Sequence, residues 1–333
     1  MLSVKERRGR QSPNLCPLDR RTGFTIVEVL VATGLIGLLV ALLLPAIMHS
    51  RERARRMECS HRIKQLVLAC HSHHEAFGML PPPHATDATV AYQTFFTRLL
   101  PFIGEPELSP ALMGETRRIG LFICPSDSIP AAERRPLNFL INSGPDIYYN
   151  LNGIVPEFQP ESGWSVVSFG SITDGLSSTA AISECVTIRA TAFGQTEASP
   201  LQCYPWYIPA SVVTSTSSLE PYIERCENGP RTLATPASLG VPSADRINDW
   251  AVGIGTNGGR YTHAMRPNTP VCGFRSTSTP KPIPAHSAAQ SMHWGGVNVG
   301  MLDGSVRFVA DVVDRKAWRA LGTRNGGEQV SGE

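Results

Sequence analysis

The chain has 333 residues, 30 Lys+Arg against 28 Asp+Glu, 42% hydrophobic and 17% charged residues. That hydrophobicity with a net charge of +2 excludes an intrinsically disordered chain. A mean hydropathy of −0.07 with one long apolar run excludes a multi-span membrane protein. Charge is unevenly distributed: +4 over residues 1–23, −1 over 24–50, +4 over 51–64 and −5 over the remainder. The acidic bulk lacks the basic face that nucleic acid requires, so no nucleic-acid partner is expected.

Residues 24–48 form an apolar run of 25 residues whose single charge is Glu28. As a helix it reaches about 37 Å, enough for a hydrocarbon core of about 30 Å. A carboxylate within such a span is costly and is a functional candidate by default. Pro45 removes one backbone hydrogen bond and is expected to kink the helix. The run is too long for the apolar core of a secretory signal, and arginines follow it in place of a small-residue cleavage site. Cations on both sides leave the orientation open.

Ile63, Leu66, Val67, Cys70, His74 and Phe77 recur at three- and four-residue steps, so the helix is expected to continue through residues 49–77. Gly78 and Pro81-Pro82-Pro83 stop it. Residues 89–103 suggest a short helix ending at Pro101. Strands are expected at 147–155, 164–172, 179–187, 297–302 and 305–310. The Ser/Thr/Pro-rich segment 188–290 reads as long loops inserted between strands of one head, 78–333. Asp314 opens a short C-terminal helix that Gly322 closes.

The segment Ser291–Phe308 carries the strongest local pattern after the apolar run. His293, Gly295, Gly296 and Asn298 lead into alternating residues, Asp303-Gly304 supplies a turn, and Val306 and Phe308 begin a return strand, together a β-hairpin. Gly253–Gly258 spells G-x-G-x-x-G, but no helix pattern follows, so nucleotide binding is not expected. His71 and His74 share a helical face but have no partnering carboxylate, so they are read as bonding to head-domain carbonyls. Asp174 and Asp303 are read as Asp-Gly turn residues. No catalytic residue, metal ligand or cofactor is assigned, and enzyme activity is not expected.

Gly23-Phe24-Thr25-Ile26-Val27-Glu28 behind a basic leader resembles the prepilin signal of type IV pilins and type II secretion pseudopilins. The resemblance implies cleavage after Gly23 by prepilin peptidase, methylation of Phe24, and a leader of residues 1–23 left in the cytoplasm. It implies that Glu28 neutralises the terminal amine of a neighbouring subunit during assembly, and that Pro45 is the family's helix-kinking proline. One departure is Thr22, where a basic residue is usual before the glycine.

Over nearly the whole mature chain the sequence also resembles the prepilin-like domain-of-unknown-function family DUF1559. The matching pieces are the prepilin signal, the arginine-rich residues 51–60, His71 and His74 before Gly78, Cys124-Pro125-Ser126-Asp127, Asp174-Gly175 with Ser183-Glu184, the Ser291–Phe308 hairpin, and residues 321–328. The expected fold class is therefore α+β and pilin-like: a long N-terminal transmembrane helix continuing into a head built on an antiparallel sheet with long loops. Cys59 and Cys124 both occupy family-matching positions and are paired on that ground; Cys203–Cys226 is a second pairing, inside the loop region.

The resemblance leads to a structural subunit of a pilus or type II secretion-like assembly. It would sit in the inner membrane by a single span, with an extracytoplasmic head. Its partners would be prepilin peptidase, other prepilin-like subunits and inner-membrane lipid. The alternative is a head that binds or processes an envelope ligand such as a glycan, motivated by Trp206 and Trp250 in the 188–290 segment.

Overall fold

The computed structural model describes residues 23–83, 94–105, 117–129, 135–145, 152–155, 158–159, 163–164, 166–187, 206–209, 220, 223–224, 250–251, 259–269, 272–275, 283–286 and 288–328. The chain divides into two compact units, one ending at Ser50 and one beginning at Arg51.

Helix α1 (Ile26–Phe77) has 52 residues and runs on through Pro45. Its start is capped locally. The Glu28 carboxylate accepts from the Thr25 amide (2.8 Å) and hydroxyl (2.9 Å), and the Thr25 hydroxyl accepts from the Glu28 amide (3.3 Å). This reciprocal pair is a capping box. Through residue 48 the large apolar side chains are exposed, and the most apolar stretch is long enough to cross a membrane. Beyond Arg51 the helix buries one face, through Cys59, Ile63, Leu66, Val67, Cys70 and His73. Gly78, at φ +70°, ends it, and its amide bonds the His74 carbonyl.

The head of the second unit is built on a five-stranded sheet in the order β10-β9-β4-β1-β6. The strands are β1 (Phe139–Asn142), β4 (Ala180–Glu184), β6 (Arg260–Tyr261), β9 (Gly296–Met301) and β10 (Val306–Ala310). Three pairings are antiparallel; β1 with β6 is parallel, so the sheet is mixed. β1, β4 and β9 are buried along their whole length, because the sheet interior is covered on both faces. Strands β2 (Phe158–Gln159) and β3 (Gly163–Trp164) form a small pair. Strands β5 (Trp206–Pro209), β7 (Cys272–Arg275) and β8 (Ile283–His286) form a separate three-stranded sheet. The fold is thus α+β with a long N-terminal helix.

Second-unit residues of α1 lie along the β9–β10 hairpin. A Cβ on Gly300 would stand 2.4 Å from Ile63 Cγ2, so only glycine lets the helix approach so closely. The Arg56 guanidinium sits 3.3 Å from the centre of the Phe308 ring, a cation–π contact. The turn is as expected: Gly304 has φ +86°, and Asp303 Oδ1 accepts from the Ser305 amide at 2.8 Å.

Several local expectations differ from the structure. The helix expected to end at Pro101 is α2 (Phe95–Leu99), capped by Thr94, and a 3-10 turn over Leu100–Ile103 follows with Pro101 near its start. A proline is tolerated there because that amide needs no partner. Within the expected strand at 164–172, Phe169–Ser171 forms a 3-10 turn, pinned where the Phe169 amide donates to His74 Nε2 at 3.2 Å. Of the strand expected at 147–155, residues 147–151 lie outside the described residues; in the rest, Gly153 and Ile154 bond the Ser143 and Asn142 carbonyls without forming a strand.

The segment 188–290 supplies more than loop. β6 joins the central sheet, and Trp250, Tyr261 and His263 are fully buried. The Trp250 carbonyl accepts from the Thr94 hydroxyl that caps α2 (2.6 Å). Helix α3 (Arg315–Gly322) is capped by Asp314, whose carboxylate accepts from the Lys316 and Ala317 amides at 3.0 Å. Its Trp318 ring packs on His263 with centroids 4.0 Å apart.

Candidate functional site

Four segments meet just ahead of the hairpin. α1 brings Glu52 and Cys59, which are seven residues apart and so share a helical face. The loop after a 3-10 turn at Gly120–Phe122 brings Cys124. The end of β4 brings Glu184, and the approach to β9 brings His293. Cys59 and Cys124 form a disulfide across a sequence separation of 65.

His293 lies at the centre of this junction. Its Nδ1 is 2.7 Å from Glu52 Oε1, its Nε2 is 3.3 Å from Glu184 Oε1, and Nε2 is 3.6 Å from Cys124 Sγ. Glu184 is buried and oriented from the other side, accepting from the Asn298 amide (2.9 Å) and side-chain Nδ2 (2.8 Å). Glu52 is held in turn by Arg55 Nε at 3.0 Å and the Ser126 hydroxyl at 3.2 Å.

Burial alone pushes the His293 imidazole toward its neutral form. Hydrogen bonds and charge from Glu184 and Glu52 outweigh that and raise its pKa above 6.5. Burial likewise raises Glu52. The bonds from His293 and Ser126, the His293 charge and the Arg55 bond outweigh it and hold Glu52 below 4.5.

A buried polar hub braces the same loop. Asn138 is fully buried; its Oδ1 accepts from the Cys124 amide (2.9 Å). Its Nδ2 faces Asp127 Oδ2 (2.7 Å), the Cys185 carbonyl (3.0 Å) and the Thr187 hydroxyl (3.0 Å). A second hub lies by α3: His263 Nδ1 bonds the Trp318 carbonyl (2.8 Å) and Nε2 the Tyr261 hydroxyl (3.0 Å). Burial drives the His263 pKa down to about 3, against the raising effect of the Trp318 bond.

The residues singled out in the sequence that the structure describes each have a definite place. Gly23 and Phe24 precede α1, with Phe24 exposed; residues 1–22 of the leader lie outside the described residues. Glu28 caps α1, and Pro45 lies within it. Cys59, Cys124, His293 and Asn298 come together at the junction. Gly295 has φ +84°, the left-handed conformation glycine adopts without strain. A Cβ on Gly296 would meet the Val309 carbonyl oxygen at 2.2 Å. Asp303 and Gly304 form the hairpin turn, at the other end of β9 from His293.

His71 Nε2 bonds the Leu302 carbonyl (2.5 Å), His73 Nδ1 the Met79 carbonyl (2.9 Å), and the His74 ring stacks on Phe169 with centroids 4.0 Å apart. Cys203, Cys226 and Gly253–Gly258 lie outside the described residues. Trp250 is fully buried and offers no face to an external ligand, whereas Trp294, next to His293, is 97% exposed.

Sequence reasoning did not single out Glu52. Its signal was its position: an acid within an arginine run, two helical turns before Cys59. The role of Glu184 was also missed; it ends a buried strand, where a carboxylate requires partners.

A mixed-sheet head carrying a long N-terminal apolar helix, with a disulfide-linked polar junction, is the class of protein these features define. Residues 48–316 match the model of the family described as "Protein of unknown function (DUF1559)", and the chain belongs to that family. No curated protein and no solved structure matches the chain. Family and apolar helix are compatible with a membrane-anchored extracytoplasmic protein.

Proposed function

We propose that the protein is a prepilin-like structural subunit rather than an enzyme. It is cut by prepilin peptidase between Gly23 and Phe24 and methylated on Phe24. The span 24–48 holds it in inner-membrane lipid, with its head outside. Other prepilin-like subunits join it through α1 into a pilus or type II secretion-like assembly.

The observation that supports this reading is the division within α1. One continuous helix exposes an apolar first part and then, from Cys59 onward, buries one face in the head. A helix exposing apolar residues all round its surface belongs in lipid or against other such helices. Within residues 24–48, Glu28 is the lone charge. It spends its carboxylate on Thr25 in the single chain and retains acceptor capacity for the amine of an adjacent subunit.

Intact-mass and N-terminal peptide analysis of protein taken from membranes tests this. A chain beginning at methylated Phe24 is expected; a chain retaining residues 1–23 overturns the prepilin route. Glu28→Ala should leave processing intact and lower recovery in sheared filaments, and undiminished recovery would remove the assembly role.

A further inference from the structure

We propose that the junction becomes a zinc site when the Cys59–Cys124 disulfide is reduced, with Cys59, Cys124, Glu184 and His293 as the four ligands. This is independent of the prepilin reading.

One ligand atom from each of these four residues lies within 4.8 Å of all the others, and all four residues are buried. In a tetrahedral zinc site, bonds of about 2.0–2.3 Å place ligand atoms roughly 3.3–3.8 Å apart. His293 Nε2 already stands at such separations, 3.3 Å from Glu184 Oε1 and 3.6 Å from Cys124 Sγ. The sulfur pair, bonded to each other in the disulfide, is what must part.

The surroundings are those of a supported metal site. Glu52 occupies His293 Nδ1, which leaves Nε2 as the ligating nitrogen; a carboxylate behind the imidazole is the usual outer support of a metal-bound histidine. Asn298 fixes Glu184 through two hydrogen bonds. Thiolate and imidazole donors favour Zn²⁺ over Ca²⁺ or Mg²⁺. The ligands come from α1, the Cys124 loop, β4 and the approach to β9, so the metal would join four segments where the disulfide joins two of them, α1 and the Cys124 loop. Sequence spacing could not register this set, because Cys124 and His293 are 169 residues apart.

A phosphine reductant passes two electrons to the disulfide and takes oxygen from water as phosphine oxide, leaving two thiols. Zn²⁺ then binds both sulfurs, and their two protons go to solvent.

The test uses the full chain in detergent, without oxygen, with Co²⁺ as the optical probe. Phosphine-reduced protein should take up one Co²⁺ per chain with thiolate charge-transfer bands and the intense visible bands of a tetrahedral ion. Zn²⁺ should displace it, and oxidised protein should show neither band. Cys124→Ser should about halve the charge-transfer intensity, and the double variant Cys59→Ser/Cys124→Ser should abolish it. Glu52→Gln should keep the spectrum and weaken affinity about 10–100-fold. No tetrahedral spectrum in the reduced protein overturns the proposal. So does an unchanged spectrum in the double variant, which would place the metal on other cysteines, Cys70 among them.

Discussion

His293 Nδ1 lies 2.7 Å from the Glu52 carboxylate, although 241 residues separate them. One hydrogen bond thus fastens the second-unit part of α1 to the entrance of the hairpin, beside the Cys59–Cys124 bridge. Glu52→Ala strands a buried imidazole nitrogen and should lower stability by about 1–3 kcal/mol. Glu52→Gln should cost less, because an amide oxygen still accepts from Nδ1. Thermal unfolding of both variants in detergent checks this; equal losses would mean that the contact contributes through charge alone.

The bridge itself closes a long loop, with a sequence separation of 65. On the chain-entropy account, replacing both cysteines by serine should cost about 4 kcal/mol, with native strain able to reduce that figure. Denaturant unfolding of the double variant measures it, and a loss under about 1 kcal/mol would show that the junction holds without the bond.

A different part of the head should govern its acid sensitivity. His263 titrates at about 3 when folded, against 6.5 ordinarily, because its burial penalises the charged form. The unfolded chain therefore binds this proton more readily. The His263 contribution is fully present above pH 6.5 and is lost progressively as pH falls toward 3. His263→Gln should flatten that part of a stability-versus-pH curve, and an unchanged slope would assign acid sensitivity to other groups.

Backbone proximity makes Gly296 intolerant of any side chain. The Cβ of Gly296→Ala would press on the Val309 carbonyl oxygen, so strand β10 must shift. A destabilisation of about 1–3 kcal/mol is expected, while Gly295→Ala, with open space around its Cβ but a positive φ, should lose about 1 kcal/mol. Comparing the two melting curves separates crowding from backbone strain.

Asn138 should prove still less replaceable. Asn138→Ala removes partners from Asp127, Thr187 and the Cys124 amide at once. More than about 2 kcal/mol should be lost, measured by denaturant unfolding; a near-neutral result would mean that water replaces the side chain.

Legibility in the sequence followed the range of the determining contacts. The β9–β10 hairpin could be read because alternation and Asp303-Gly304 act within a few residues. α1 could be read because apolar length and periodicity are local. β1 could not, because Phe139–Asn142 is buried throughout and shows no alternation. β6 could not, because two residues become a strand only by pairing with Ile141 and Asn142. The turn at Phe169 depends on His74, 95 residues earlier. At the junction, His293 and the cysteines were visible as residue types. Glu52 and Glu184 acquire their roles only when the chain brings them to one imidazole.

Adjacent residues at the hairpin entrance face opposite environments: His293 is enclosed, and Trp294 projects into solvent. Trp250 and Trp318 are fully enclosed. Among the tryptophans whose side chains are described, Trp294 is therefore the built-in optical reporter: a water-soluble quencher should extinguish its fluorescence while sparing those two indoles. A molecule seated on the hairpin entrance would shield it, so docking at this spot can be followed by light on the unlabelled chain.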